Sequence, residues 1–145
     1  KFISNDEFIF FTNYNSSKAT AFNSHNQIAA LLYWSSIDFQ IRMKAQIKKT
    51  SEEFNQKYFY ERSEKKNALA ISSDQSKQIN SYSQVKENFD RSLKKDDLKK
   101  CPKYWGGYSF IPYYFEFWEG HESRINKREA FIKISGVWNK SFLQP

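Results

Sequence analysis

The chain has 145 residues, 19% of them aromatic and 27% charged, with 23 Lys+Arg against 16 Asp+Glu for a formal net charge of +7. That length suits one domain burying roughly 70% of its unfolded surface, and a mean hydropathy of −0.80 without a long apolar run excludes a membrane-spanning helix. The positive balance favours an anionic partner, yet the cations are scattered except in "LKKDDLKKCPK". One or two pockets therefore fit better than the continuous basic stripe of a dedicated nucleic-acid face.

Along the chain, "EFIFFTNY" (7–14) predicts a strand running into a polar turn. "SSKATAFNSH" (16–25) opens on capping residues and predicts a short helix whose first-turn amides face the preceding loop. "IAALLYW" (28–34) predicts a buried strand. Phe39, Ile41, Met43, Ala45 and Ile47 alternate with Gln40, Arg42, Lys44, Gln46 and Lys48, the pattern of a half-buried antiparallel strand. Its wet face suits a site wall or a subunit contact. Thr50 and Glu53 have capping-box spacing and open a helix over 50–62, with Phe54, Tyr58 and Glu61 or Arg62 on one face. "NALAI" adds a second short helix. Ser81 with Gln84, and the stripe Val85, Phe89, Leu93, predict a third over 81–95.

After a charged loop, "YSFIP" and "YFEFWEG" read as two strands, followed by a hairpin that reverses at Ser135-Gly136. Six or seven strands with helices in the connections, and no βαβ alternation, predict a mainly β chain. The expected architecture is a small antiparallel barrel with peripheral helices.

The chemistry is narrowed by what is lacking. His25 and His121 are the only histidines, and neither has a partner at metal-ligand spacing or a nucleophile elbow beside it. Four glycines make no dinucleotide fingerprint. The single Cys101 cannot form an internal disulfide, which suits a reducing, cytoplasmic setting, and it reads as structural. Cationic and aromatic groups remain. "TNYNSSK" offers hydroxyls, a helix start and Lys18, suited to a phosphate or to ordinary capping. Tyr58 and Arg62 stand one turn apart, as a ligand pair or an exposed one. Trp118 precedes Arg124 and Arg128, whose forks suit phosphate or carboxylate, or simply a solvated basic edge.

"FFTNYNSSK", the strand with Gln40, "KYFYER", "DQSKQINS" and "YWGGYSFIPYYFEFWEGHESRINKR" with the terminal "LQP" occur in one order over essentially the whole chain. Together they resemble the pyridoxamine 5′-phosphate oxidase family. The resemblance implies a single FMN-binding split β-barrel domain over 1–145, working as a homodimer with FMN at the interface. It implies oxidation of pyridoxine or pyridoxamine 5′-phosphate to pyridoxal 5′-phosphate, with O₂ reduced to H₂O₂ and neither nucleic acid nor membrane as partner. FMN contacts are implied from Lys1, Phe11, Thr12, Lys18, Gln40, Gln75, Ser76, Trp118 and Arg128. Substrate contacts are implied from Lys1, Tyr58, Arg62 and Arg124. No side chain is expected to act as a catalytic group, since the flavin carries the redox chemistry.

The chain departs from the family's pattern at several of these places. Ser17 stands where an Arg usually precedes the lysine, and "RINKR" replaces "RLHDR", putting Asn126 in place of a substrate-side His. Lys66 takes the place of a phosphate-binding Ser, and Phe11 that of the commoner Tyr. One lost charged phosphate contact costs about 1.5–3 kcal/mol. A second expectation is therefore a non-catalytic or altered-specificity binder of flavin or B6 phosphate on the same barrel. A single-strand nucleic-acid binder using Tyr and Trp stacking is a third. The chain opens at Lys1 rather than Met, where the family carries an N-terminal arm and first strands, so a longer native precursor is expected.

Overall fold

The computed structural model describes residues 2–4, for their backbone alone, and 6–145. Lys1, expected to touch both FMN and substrate, lies outside the described residues. Seven strands and four helices follow in chain order: β1 (Phe2–Ser4), β2 (Glu7–Asn13), α1 (Ser17–Ser24), β3 (Gln27–Trp34), β4 (Phe39–Lys49), α2 (Glu52–Glu61), α3 (Glu64–Ser72), α4 (Tyr82–Lys95), β5 (Trp105–Glu119), β6 (Lys127–Ile134) and β7 (Val137–Phe142). The sheet order is β1-β2-β5-β4-β3, with β6 pairing β5 and β7 pairing β6. The registers described for β1–β2, β3–β4, β5–β6 and β6–β7 are all antiparallel. Among the described residues no helix is long and apolar enough to cross a membrane.

The chain divides into two compact units. The first holds Ile9–His25 and Lys48–Ser109; the second holds Phe2–Phe8, Asn26–Ile47 and Phe110–Pro145. Strands β2, β4 and β5 pass from one to the other. The first unit buries Phe59, Trp105 and Tyr108 with Ala19 and Ala68, while the second buries Met43, Ala45, Phe110 and Ala130. The alternation read in 39–49 holds: Met43, Ala45 and Ile47 are buried and Arg42, Lys44 and Gln46 exposed.

Local signals decide several elements. Ser81 accepts from the Gln84 amide at 3.1 Å and starts α4. Ser135 (φ 49°) and Gly136 (φ 83°) both take left-handed backbone, the two-residue reversal that matches strand twist between β6 and β7.

Three expectations are corrected. Residues 28–34 do form a strand, but Leu31, Leu32, Tyr33 and Trp34 are exposed; an apolar run fixes the strand and not what covers it. The cap of α2 is Ser51, which accepts from the Phe54 amide at 3.2 Å. Thr50 is drawn elsewhere: its Oγ1 lies 2.6 Å from Asn55 Oδ1 and 3.0 Å from the Gly107 carbonyl. Finally, "YSFIP" and "YFEFWEG" belong to one strand, β5. Pro112 is a buried residue inside it, and the pairing with β6 begins beyond it, at Tyr114 opposite Ile132.

Candidate functional site

A cavity of about 270 Å³ opens inside the first unit, lined by Phe11, Thr12, Asn13, Arg62, Lys66, Leu69, Ala70, Ser73, Gln75 and Trp105. Its aromatic wall is a pile of parallel rings. Phe11 stacks on Tyr58 (3.8 Å between centroids, 4° between planes) and on Trp105 (5.1 Å, 10°). Two glycines let β5 approach closely: a Cβ on Gly107 would meet Thr50 Oγ1 at 2.6 Å, and one on Gly106 would collide with the Tyr14 hydroxyl.

The cationic side of the cavity is set by the α2–α3 elbow. Arg62 closes α2 in an extended conformation, and its amide donates to the Phe59 carbonyl at 3.2 Å. The fully buried Asn67 fastens the elbow, its Nδ2 donating to the carbonyls of Phe59 at 2.8 Å and Leu98 at 2.9 Å. Arg62 thereby lies over the Trp105 ring, 5.0 Å from its centroid. Its Nη1 is buried and has no hydrogen-bond partner. Burial holds this guanidinium below its ordinary pKa, with the neighbouring Tyr58 phenol pushing the other way. A buried donor without an acceptor costs about 1–3 kcal/mol, so the site is poised for an anion. Among the described residues no carboxylate lines the cavity.

A polar cluster adjoins it. Thr12 Oγ1 donates to Gln75 Oε1 at 3.0 Å and accepts from Lys18 Nζ at 3.5 Å; the Asn13 amide also donates to Gln75 Oε1, at 3.2 Å. Ser16 precedes α1 without a side-chain cap, leaving the first-turn amides of that helix to another acceptor. Ser76 follows in an exposed turn with φ 74°.

In the second unit Trp118 and Arg128 face each other across β5 and β6. Arg128 is tied on three sides. Its Nε and Nη2 reach Glu116 Oε1 at 2.9 and 2.8 Å, and its Nη1 donates to the Gln144 carbonyl at 2.7 Å. Glu116 is 3% exposed and also meets Arg42 at 3.6 Å and the Tyr114 hydroxyl at 3.1 Å. Gln40, half-buried on β4, stands opposite Tyr33. Arg124 does not join Arg128: it sits on an exposed turn with φ 60°, its amide donating to the His121 carbonyl at 2.8 Å. Asn126 braces the same turn by accepting from the His121 amide at 3.0 Å.

Of the expected site residues, Phe11, Thr12, Arg62 and Gln75 thus share one cavity, with Tyr58 stacked on its wall and Lys18 held at Thr12. Gln40, Trp118, Arg124 and Arg128 belong to the second unit. Sequence reasoning passed over Glu116 and Asn67. The first had a signal: on β5 it shares a side with Pro112, a buried residue, and sits diagonal to Arg128. Asn67 had none, since its acceptors lie on other elements.

Among the described residues no three His, Cys, Asp or Glu side chains gather to hold a metal ion. Burial pushes the Cys101 thiol up to about 11, far from a reactive thiolate.

Comparison with known proteins gives the family and the fold. Residues 105–145 match the family model for the pyridoxine 5′-phosphate oxidase C-terminal dimerisation region. The chain is 32% identical over its whole length to pyridoxine/pyridoxamine 5′-phosphate oxidase 1 of Hydrogenovibrio crunogenus, covering 69% of that protein. It is 33% identical to the Coxiella burnetii oxidase, again over the whole chain and 74% of the relative. PhzG from Burkholderia lata, solved in complex with tetrahydrophenazine-1-carboxylic acid, superposes with a TM-score of 0.86 at 25% identity, over all of this chain and 72% of that one. A pyridoxamine 5′-phosphate oxidase-related, FMN-binding protein of Nostoc punctiforme shares the fold, with a TM-score of 0.77 at 13% identity over all of this chain and 77% of that one. The chain therefore belongs to the pyridoxine/pyridoxamine 5′-phosphate oxidase family and has its mainly antiparallel split-barrel fold.

Proposed function

We propose that this chain oxidises pyridoxine or pyridoxamine 5′-phosphate to pyridoxal 5′-phosphate as an FMN-dependent homodimer. The observation that carries the reading is the buried, unpartnered Nη1 of Arg62 in an acid-free cavity, found in a chain of this family. Bound FMN would supply the two-electron chemistry that links substrate oxidation to reduction of O₂ to H₂O₂. The alcohol substrate loses two hydrogens; the amine also takes up water and releases ammonia.

The protein's part is binding and orientation. Arg62 and Tyr58 hold the substrate phosphate, Arg62 through a charge-assisted contact that its Nη1 now lacks. Lys18, Thr12 and the uncapped start of α1 form a second anion cradle, suited to the flavin phosphate. Phe11, Gln75, Ser76, Gln40, Trp118 and Arg128 are carried over from the family's pattern as the further flavin contacts. Arg124 meets the pyridine end of the substrate. Lys1 is carried over from the family's pattern for both ligands. Glu116 fixes the Arg128 guanidinium so that only its remaining N–H groups point to a ligand. Association through the C-terminal region and the exposed apolar side chains brings two copies together.

The test is to supply FMN and pyridoxine 5′-phosphate in air and measure aldehyde and peroxide. Their stoichiometric appearance supports the oxidase; a flavin-loaded protein that produces neither rejects it. A second reading, binding without this oxidation or with another substrate, is favoured by Asn126. It replaces the family's His and is spent on bracing its own turn. Flavin and B6-phosphate binding without turnover would select that reading.

A further inference from the structure

Two cations, not one, border the cavity of the first unit. Arg62 ends α2 and Lys66 lies in α3, so the elbow places them four residues apart on the same wall. The lining contains Phe11, Leu69 and Trp105 and no Asp or Glu. Lys66 itself has no ion pair among the described residues, although Glu61, Glu64 and Lys65 share its elbow. A buried guanidinium nitrogen without an acceptor and a free ammonium beside it make an unbalanced pair of charges. A doubly charged group neutralises that pair; a singly charged one leaves half of it.

We propose that Lys66 is a specificity-determining residue of this cavity, adding a second cation to Arg62 so that the site selects the dianionic phosphate monoester end of its ligand. This rests on the reading of the cavity as the substrate-phosphate site. Lysine supplies a mobile point charge at the mouth, whereas the Arg62 fork is fixed over Trp105. The ammonium therefore acts on charge and not on shape.

The experiment is calorimetric titration of the protein, with and without FMN, using 4-deoxypyridoxine 5′-phosphate as probe. Its methyl group at C4′ cannot be oxidised as the substrate is, and it has no aldehyde to condense with lysine. Unphosphorylated 4-deoxypyridoxine is the control. Lys66→Met is expected to weaken the phosphorylated probe about tenfold and to leave the control unchanged, and Lys66→Arg to retain most of the affinity. The proposal is overturned if Lys66→Met binds the phosphorylated probe as wild type does, if it weakens both compounds equally, or if the wild-type protein takes up neither. Turnover without a Lys66 effect removes this proposal and leaves the oxidase reading intact. A Lys66 effect without turnover supports the proposal while removing the oxidase.

Discussion

The two compact units differ in how much apolar surface they leave outside. In the first, Phe59, Ala19 and Ala68 are fully buried, Asn55 and Asn67 tie its segments together, and Tyr60, Leu69, Ile79 and Tyr82 are the large apolar side chains left exposed. The second leaves large apolar side chains outside, among them Leu31 and Ile37 around β3 and Ile134, Val137 and Phe142 on the last hairpin. A self-sufficient unit can hold a preformed cavity with an unsatisfied guanidinium, because its packing offsets that cost. A unit with an uncovered apolar surface is made to associate. Part of that surface falls within 105–145, the stretch matching a dimerisation region.

The largest effect we expect attacks the second unit at Glu116, its one buried carboxylate among the described residues. Glu116→Ala leaves Arg128 without its fork partner and should lower stability by about 3 kcal/mol. Thermal unfolding measures this, and FMN affinity should fall with it. An unchanged melting temperature would mean that Glu116 does not hold the unit together.

Next comes the elbow of the first unit. Asn67→Ala strips a donor from buried carbonyls and should cost about 2 kcal/mol. It should also weaken phosphate-ester binding, because Arg62 loses its anchorage. Denaturant unfolding alongside probe titration separates the two losses, and intact binding would show that Arg62 is placed without Asn67.

A substitution on the exposed face should act the other way round. Leu31→Lys is expected to change chain stability by no more than about 0.5 kcal/mol while shifting the dimer toward monomer in sedimentation. Unaltered association would take β3 out of the interface.

The smallest effect concerns Cys101. Its folded pKa is raised by burial to about 11, against an ordinary value of 9.0. The folded state therefore keeps the proton longer, and this contribution is fully present below about pH 9 and lost as pH rises toward 11. Wild type should lose more stability than Cys101→Ser across that window, as parallel urea melts would register. Equal losses would place the thiol in water.

What the sequence made legible was local. The alternation over 39–49, the Ser81 cap and the Ser135-Gly136 turn each depend on residues within a few positions, and all three appear as expected. The misread elements depend on distant partners. Thr50 is drawn from capping by Gly107, and β5 continues through Pro112 as one strand whose neighbours β2, β4 and β6 are remote in sequence. Exposure of β3 is set by what covers it, which a single chain's pattern does not encode. The site residues came from family motifs rather than from spacing. The structure adds which of them share a wall, and it ties Arg128 to Glu116 while Arg124 sits on an exposed turn.

The most direct measurement is a fluorescence titration of FMN with the purified protein. Saturable quenching of the flavin at one FMN per chain is expected, weakened in Arg128→Ala and unaffected in Arg124→Ala. Flavin fluorescence that stays at the level of free FMN, at every protein concentration, would contradict it.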